Sequence, residues 1–213
     1  NNFNMKIDDV IEFLNTQTIV RNKKCINKKT KKVIKAIIIT HLWGGSQNID
    51  KIIQICRLKK IVVIEDAAES FGTKIFKEKK LVNSGCQGDF GCFSFNGNKI
   101  VTTGSGGAVV TNVKKNYNYL NYLATQARDD PFHYIHNEMA FNYKLNNLLS
   151  CIGISQLKKL DQFIKKKKII HIHYKNELDK IDGVNIYKPG LDILSNHWFN
   201  IITFKNLNRN KLK

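Results

Sequence analysis

Short apolar runs separated by amphipathic stretches dominate residues 35–112. AIIIT (Ala36–Thr40) and IVVIED (Ile61–Asp66) read as buried strands, and FGCFSF (Phe90–Phe95) and GAVVT (Gly107–Thr111) as two more. Between the first pair, NIDKIIQICRLKK (Asn48–Lys60) has helical spacing, with Ile49, Ile52, Ile53 and Cys56 on one face. Strand, helix, strand with continuous apolar strands predicts an α/β architecture with a parallel or mixed sheet. The flanks differ in texture. Residues 1–32 are polar and rich in Lys and Asn, with DDVIEFLN (Asp8–Asn15) as a short amphipathic helix. From Val113 the pattern turns helical over Asn116–Ala127 and Asn146–Leu178, the second long enough to leave one domain and enter another. Val184–Tyr187 and His197–Phe204 read as strands of a smaller unit. The expected division is a larger domain over 1–160, then a linking helix and the start of a small domain over 161–213. No internal repeat is present.

At 213 residues, 42% hydrophobic and 24% charged, the composition is that of a globular chain of one or two domains. No apolar run approaches the ~20 residues of a membrane span. The opening NNFNMKIDDV lacks a basic region followed by an apolar core, so no signal peptide is expected, and the cytoplasm is the expected compartment. Five cysteines, at Cys25, Cys56, Cys86, Cys92 and Cys151, fit no metal or disulfide spacing, so reduced thiols are expected. The net charge of +18 invites a nucleic-acid reading. The charge is almost all lysine, however, with arginine only at Arg21, Arg57, Arg128 and Arg209. Nucleic-acid readers favour arginine forks and clustered aromatics. No nucleic-acid partner is expected, and Lys165–Lys168 reads as a solvated face. A basic surface would still attract a polyanionic small molecule such as a nucleotide sugar.

Three residues carry the candidate chemistry. Asp66 ends a buried apolar strand, where ligands bind in open α/β sheets; the alternative is an N-cap for AAES. Lys99, in SFNGNK, follows a strand by a few residues and could reach into a cleft or lie on the surface. Taken together, with Ser94 just before, they fit pyridoxal phosphate chemistry. The lysine amine would form a Schiff base with the cofactor aldehyde. The aspartate would pair with the pyridinium nitrogen, and Ser94 would hydrogen-bond the phosphate. The freed lysine is then the natural proton shuttle.

The stretches VIEDAAESFGTK (Val63–Lys74) and GDFGCFSFNGNKIVTTGSGGAVVTN (Gly88–Asn112) closely resemble the DegT/DnrJ/StrS family of pyridoxal-phosphate-dependent sugar aminotransferases. The segments His41–Cys56, Tyr122–Asp130, Phe141–Asp161 and SNHWFNIITF match the family in its own order, so the likeness spans nearly all of 33–204. The resemblance implies a type I aminotransferase fold: an incomplete large domain with a mixed, mostly parallel sheet, then the start of a small α/β domain. It implies a homodimer with active sites at the subunit boundary, glutamate as amino donor and a nucleotide-linked keto-sugar as acceptor. By matched position, Lys99 is the catalytic lysine and Asp66 the pyridinium partner. Glu69 lies near the cofactor's 3-hydroxyl, Ser94 contacts the phosphate, and Asn142 reaches the phosphate of the neighbouring subunit's cofactor. The wording DAAES, SFNGNK and ATQAR looks most like the LegC-like branch, which aminates C4 of UDP-linked 4-keto-6-deoxy-N-acetylhexosamines for surface-polysaccharide and glycan sugars. Glu69 stands where many members carry Gln or His, and Lys144 where the family usually has arginine. Nothing before His41 resembles the family's phosphate-binding segment or its ring-stacking aromatic. The chain therefore reads as truncated at both ends, and a catalytically inactive remnant is the alternative.

Other residues leave alternatives open. GSGG (Gly104–Gly107) reads as a turn before a strand rather than a dinucleotide loop. His171 and His173 fall on different helix faces, and no metal site is expected. Cys86 and Cys92 read as structural thiols. Arg128 could meet an anionic substrate group or pair with Asp129 or Asp130. His133, Tyr134 and His136 lie on an expected loop before Asn142 and could line the sugar site. A dehydratase of the same fold would carry histidine in place of Lys99.

Overall fold

The computed structural model describes residues 3–130 and 132–205. Helix α1 (Ile7–Thr16) is followed by an antiparallel sheet of β1 (Thr18–Arg21), β2 (Lys24–Asn27) and β3 (Val33–Ile34), in that order. The hydrophobic pattern predicts none of these three strands. Asn22 and Lys23, with φ of 47° and 58°, make the left-handed two-residue turn that a tight hairpin needs. Lysine in the second position hides that turn from a reader of glycine signals.

The central sheet holds β4 (Ala36–Thr40), then helix α2 (Asp50–Lys59), then β5 (Val62–Asp66). A hairpin of β6 (Lys74–Lys77) and β7 (Lys80–Asn83) intervenes before β8 (Phe90–Ser94) and β9 (Gly107–Val110). The sheet order is β4-β5-β8-β9, with the first three strands parallel and β9 antiparallel to β8. Thr40 lies opposite Asp66, and Asp66 opposite Cys92. The carboxyl ends of β4, β5 and β8 therefore share one edge. The apolar face of α2 packs Ile52, Ile53 and Cys56 against Ile39, Val63, Leu14 and Cys25. Only one face of β4 and β5 is covered by the described residues, because their side chains alternate. Ile39 and Val63 are buried, whereas Ile38 is 58% exposed and Val62 37%. The expectation of buried strands is thus met on one face only.

Helix α3 (Lys114–Ala124) stops short of the expected Ala127, because Gln126 and Ala127 turn left-handed, with φ of 68° and 48°. A small hairpin of β10 (Arg128–Asp130) and β11 (Ile135–His136) follows. The long predicted helix is two, α4 (Asn147–Leu157) and α5 (Leu160–Leu178). Asn146 caps α4 by accepting from the Leu149 N–H at 2.9 Å. No proline or glycine marks the break. The two helices lean on different parts of the core: Gly153 of α4 approaches Thr103, and Leu160 and Ile164 of α5 approach Gly72.

Three short strands close the described chain. β12 (Val184–Ile186) pairs antiparallel with β14 (Ile202–Phe204), while β13 (Ile193–Leu194) joins the edge of β6. The strand expected from His197 is confined to Ile202–Phe204. Residues 195–198 instead bond with the loops of the central sheet.

Candidate functional site

Three loops leave the carboxyl edge of the parallel strands: 41–49 after β4, 67–73 after β5 and 95–106 after β8. This is where an open α/β sheet places its ligands. Asp66 ends β5, and one carboxylate oxygen accepts from the Ala68 N–H at 3.1 Å. No helix follows, so Asp66 caps a turn rather than the helix that the alternative reading required. Its second oxygen has no hydrogen bond among the described residues. Ser94 ends β8 and accepts from the Asn96 N–H at 3.3 Å, leaving the hydroxyl proton to donate elsewhere. The next loop is pinned by Phe95 N–H to Gly106 O at 2.9 Å and Thr103 N–H to Phe95 O at 3.0 Å. Within it, the Lys99 N–H donates to Asn96 O at 3.0 Å, a tight turn that projects the lysine.

Glu69 joins the three loops. One carboxylate oxygen accepts from the Trp43 N–H at 2.8 Å, and the other lies 4.0 Å from Lys99 Nζ. The Lys99 and Glu69 side chains are only 13% and 19% exposed. Lys99 Nζ also sits 4.0 Å from the centroid of the Trp198 ring. The indole N–H of Trp43 is buried without a partner among the described residues, an open donor on the residue that holds Glu69. An amine, two carboxylates and a hydroxyl thus gather at one edge. Together they can hold a carbonyl carbon covalently and manage protons around it.

Glu65, which the sequence reading passed over, supports this edge from beneath. Side chains alternate along β5, so Glu65 points to the face opposite Asp66. It is fully buried, and it accepts from His41 Nε2–H at 2.8 Å, Gly85 N–H at 3.0 Å, Gly88 N–H at 2.6 Å and the Gln87 N–H. Burial pushes its pKa up, but the bonds from His41, Gly88 and Gln87 outweigh that and hold the carboxyl below its ordinary value. The clue in the sequence was two adjacent carboxylates ending an apolar strand, because one of them has to turn inward and find donors there.

The segment Ser195–Trp198 was likewise read only as strand. Ser195 Oγ and Thr73 Oγ1 both donate to Gly44 O at 2.8 Å. Asn196 is fully buried; its side-chain amide donates to Glu69 O at 3.0 Å and Phe71 O at 2.9 Å, and its own oxygen accepts from the Trp198 N–H at 2.8 Å. Polar side chains of a distant segment thereby fasten the loop carrying Glu69. Sequence spacing offers no signal for such a contact.

The remaining candidates gather elsewhere. Asn142 forms a bridge with Thr125, and a cavity of about 410 Å³ is lined by Thr125, Gln126, Arg128 and Asn142. The Arg128 guanidinium lies 4.9 Å over the Tyr134 ring rather than against a carboxylate. Asp129 is taken by the Tyr122 hydroxyl at 3.0 Å and the Asn137 N–H at 2.8 Å. Asp130 bonds His133 at 2.9 Å, a contact that lowers its pKa. His136 donates through Nδ1 to Gln126 O at 2.6 Å. Among the described residues, no hydrogen bond or ion pair links Asn142, Arg128 or His136 to Asp66, Glu69, Ser94 or Lys99.

The five cysteines are free, and Cys25 and Cys56 lie in the core. Burial, with Asp89 and Cys25 adding to it, pushes the Cys56 thiol up to about 11. No group of metal-ligating side chains occurs among the described residues. His171 instead bonds Asn200 at 2.8 Å and packs on His197, with ring centroids 4.4 Å apart.

Comparison with known proteins gives this geometry a lineage. EpsN of Bacillus subtilis (strain 168), whose name assigns it provisionally to the pyridoxal phosphate-dependent aminotransferases, is 43% identical over 172 residues, covering 81% of this chain and 43% of that protein. The GDP-perosamine synthase of Escherichia coli O157:H7 is 35% identical, covering 81% and 46%. The UDP-4-amino-4,6-dideoxy-N-acetyl-beta-L-altrosamine transaminase of Campylobacter jejuni (serotype O:23/36, strain 81-176) is 30% identical, covering 81% and 41%. The chain thus spans a little under half the length of these relatives. The crystal structure of a DegT DnrJ EryC1 StrS aminotransferase from Brucella abortus superposes with a TM-score of 0.81 at 22% identity, over 96% of this chain and 51% of that one, which establishes the fold. The family profile matches residues 11–213, and the chain belongs to the DegT/DnrJ/EryC1/StrS aminotransferase family.

Proposed function

We propose that the carboxyl-edge cluster is a pyridoxal phosphate site. In this reading the protein moves an amino group from glutamate to C4 of a UDP-linked 4-keto-6-deoxy-N-acetylhexosamine, for surface-polysaccharide or glycan sugar synthesis. The observation that carries the reading is the convergence of Asp66, Glu69 and Lys99 at one sheet edge, with Glu69 4.0 Å from the lysine amine.

The residues present fit the cofactor. Among the described residues, Asp66 keeps one carboxylate oxygen without a hydrogen bond, as suits a group meant for a ring nitrogen, and Ser94 keeps a hydroxyl proton to give to a phosphate. When bound, pyridoxal phosphate supplies an electron sink for the carbanion that forms at the amino-bearing carbon. Asp66 would hold the proton on the pyridine nitrogen. Lys99 Nζ would bind the cofactor and, once released, carry a proton to and from the substrate carbon. Glu69, held by the Trp43 N–H, would orient that amine and the neighbouring oxygen of the ring.

Asn142, on its separate cavity with Arg128, would serve the site of a second subunit in a homodimer. Arg128, with its guanidinium on Tyr134, and His136 are the candidates for substrate contact. The positive surface would draw a nucleotide diphosphate toward either site. The UDP sugar named in the Campylobacter relative supports the nucleotide assignment, and the GDP sugar named in the Escherichia relative is the competing one.

Titration of the purified chain with pyridoxal phosphate, borohydride reduction and peptide mapping test the reading. A pyridoxyl adduct on Lys99, absent from Lys99→Ala, is expected. A chain that stays colourless and carries no adduct at Lys99 overturns it and leaves a non-catalytic relative. Amination of UDP- against GDP-linked keto-sugars with glutamate decides the nucleotide and the donor.

A further inference from the structure

We propose that Trp198 is a positioning residue for Lys99, with its indole face holding the amine. The inference rests on the reading of Lys99 as the cofactor-binding amine, but its test does not need the cofactor.

Trp198 is 4% exposed and fixed from several sides. Its ring N–H donates to Asn98 O at 2.7 Å, the carbonyl immediately before Lys99. Its backbone N–H donates to Asn196, which is itself bonded to Glu69 O and Phe71 O. Lys167 Nζ donates to its carbonyl at 3.3 Å, and Phe199 stacks on its ring with centroids 3.8 Å apart. The indole is therefore placed by groups other than Lys99, and the amine lies 4.0 Å from its centroid. A lysine has a long flexible stem and a compact charge. A fixed aromatic face within about 6 Å attracts that charge through the ring quadrupole. With Glu69 also 4.0 Å away, the ammonium has a carboxylate and a π face as neighbours, and both restrain it. Lys99 and Trp198 themselves line a cavity of about 300 Å³ with Phe163, Lys166, Lys167 and Ile170, and the two contacts would keep a freed amine at its wall.

Competitive acylation of the whole chain, read per lysine by mass spectrometry, tests this. Lys99 in Trp198→Leu is expected to label on the order of three- to tenfold faster than in the unaltered chain. Trp198→Phe, which keeps a ring face, should return it to within about twofold of the unaltered rate. The exposed Lys51 and Lys115 should label equally throughout. Equal labelling of Lys99 in Trp198→Leu and the unaltered chain overturns the proposal. So does a Trp198→Phe chain that labels as fast as Trp198→Leu, since the ring face would then be irrelevant.

A second measurement needs no change at Trp198. In a Trp43→Phe chain the only tryptophan emission is that of Trp198, and Lys99→Met should change its intensity by removing the overlying charge. An unchanged emission overturns the proposal. If no pyridoxyl adduct forms at Lys99 while both results hold, the functional reading fails and the Trp198–Lys99 contact stands.

Discussion

Single side chains decide most at the sheet edge. Glu65 is a buried carboxylate satisfied by three backbone N–H groups and His41. Removing it leaves those donors and a buried imidazole without a partner. Glu65→Ala should lower the unfolding free energy by about 3–5 kcal/mol, measured by urea titration. Asp66 lies one residue on but faces the other way, with a single backbone bond. Asp66→Asn should leave the urea midpoint nearly unchanged and weaken pyridoxal phosphate binding by about tenfold or more, because an amide cannot keep the ring nitrogen protonated. The contrast was half legible in the sequence. An aspartate ending an apolar strand stands out as a ligand candidate, whereas the partners of Glu65 come from residues 41 and 85–88 and are joined to it only by folding.

Elements set where those side chains stand. β8 runs so close to the loop before it that a Cβ on Gly91 would meet Gly85 O at 1.8 Å. Gly91→Ala must push β8 away from that loop and shift Ser94 and the Lys99 turn. A fall in melting temperature of several degrees is expected, together with a loss of the borohydride-trapped adduct. At the end of α2 the sequence is less than ideal, since Lys60 adopts the left-handed conformation, with φ of 59°. Lys60→Gly should stabilise the chain by about 0.5–1 kcal/mol, seen as a raised urea midpoint. The period of α2 and the apolar runs of β4, β5 and β8 were readable because local pattern and burial agree. The hairpin at Asn22–Lys23 and the break at Lys158–Lys159 were not, because left-handed lysine and a change of packing partner leave no mark on a hydrophobic pattern.

At the scale of the molecule, polar contacts join segments more than a hundred residues apart. Asn196 ties the Ser195–Trp198 segment to the loop of Glu69, and next to it His197 packs on His171, facing Lys168. Burial, then the charges of His171 and Lys168, pull the His197 pKa down to about 4. The unfolded chain binds this proton between about pH 6.5 and 4 and the folded chain does not, so stability is lost as pH falls through that window. With the partial exposure of the ring discounted, about 1–2 kcal/mol should separate pH 7 from pH 4.5 in urea titrations, and His197→Asn, which tolerates the left-handed backbone there, should flatten the difference. The sequence by itself determined the α/β class, the order of the parallel strands' loops and the residue types those loops carry, because apolar periodicity and short motifs are local properties. Tertiary structure alone decided that Glu69 bridges three loops, that Glu65 turns inward, that Trp198 meets Lys99 and that Asn142 stands apart with Arg128. Each of these depends on which distant groups come within hydrogen-bonding or ring-contact distance once the chain is packed.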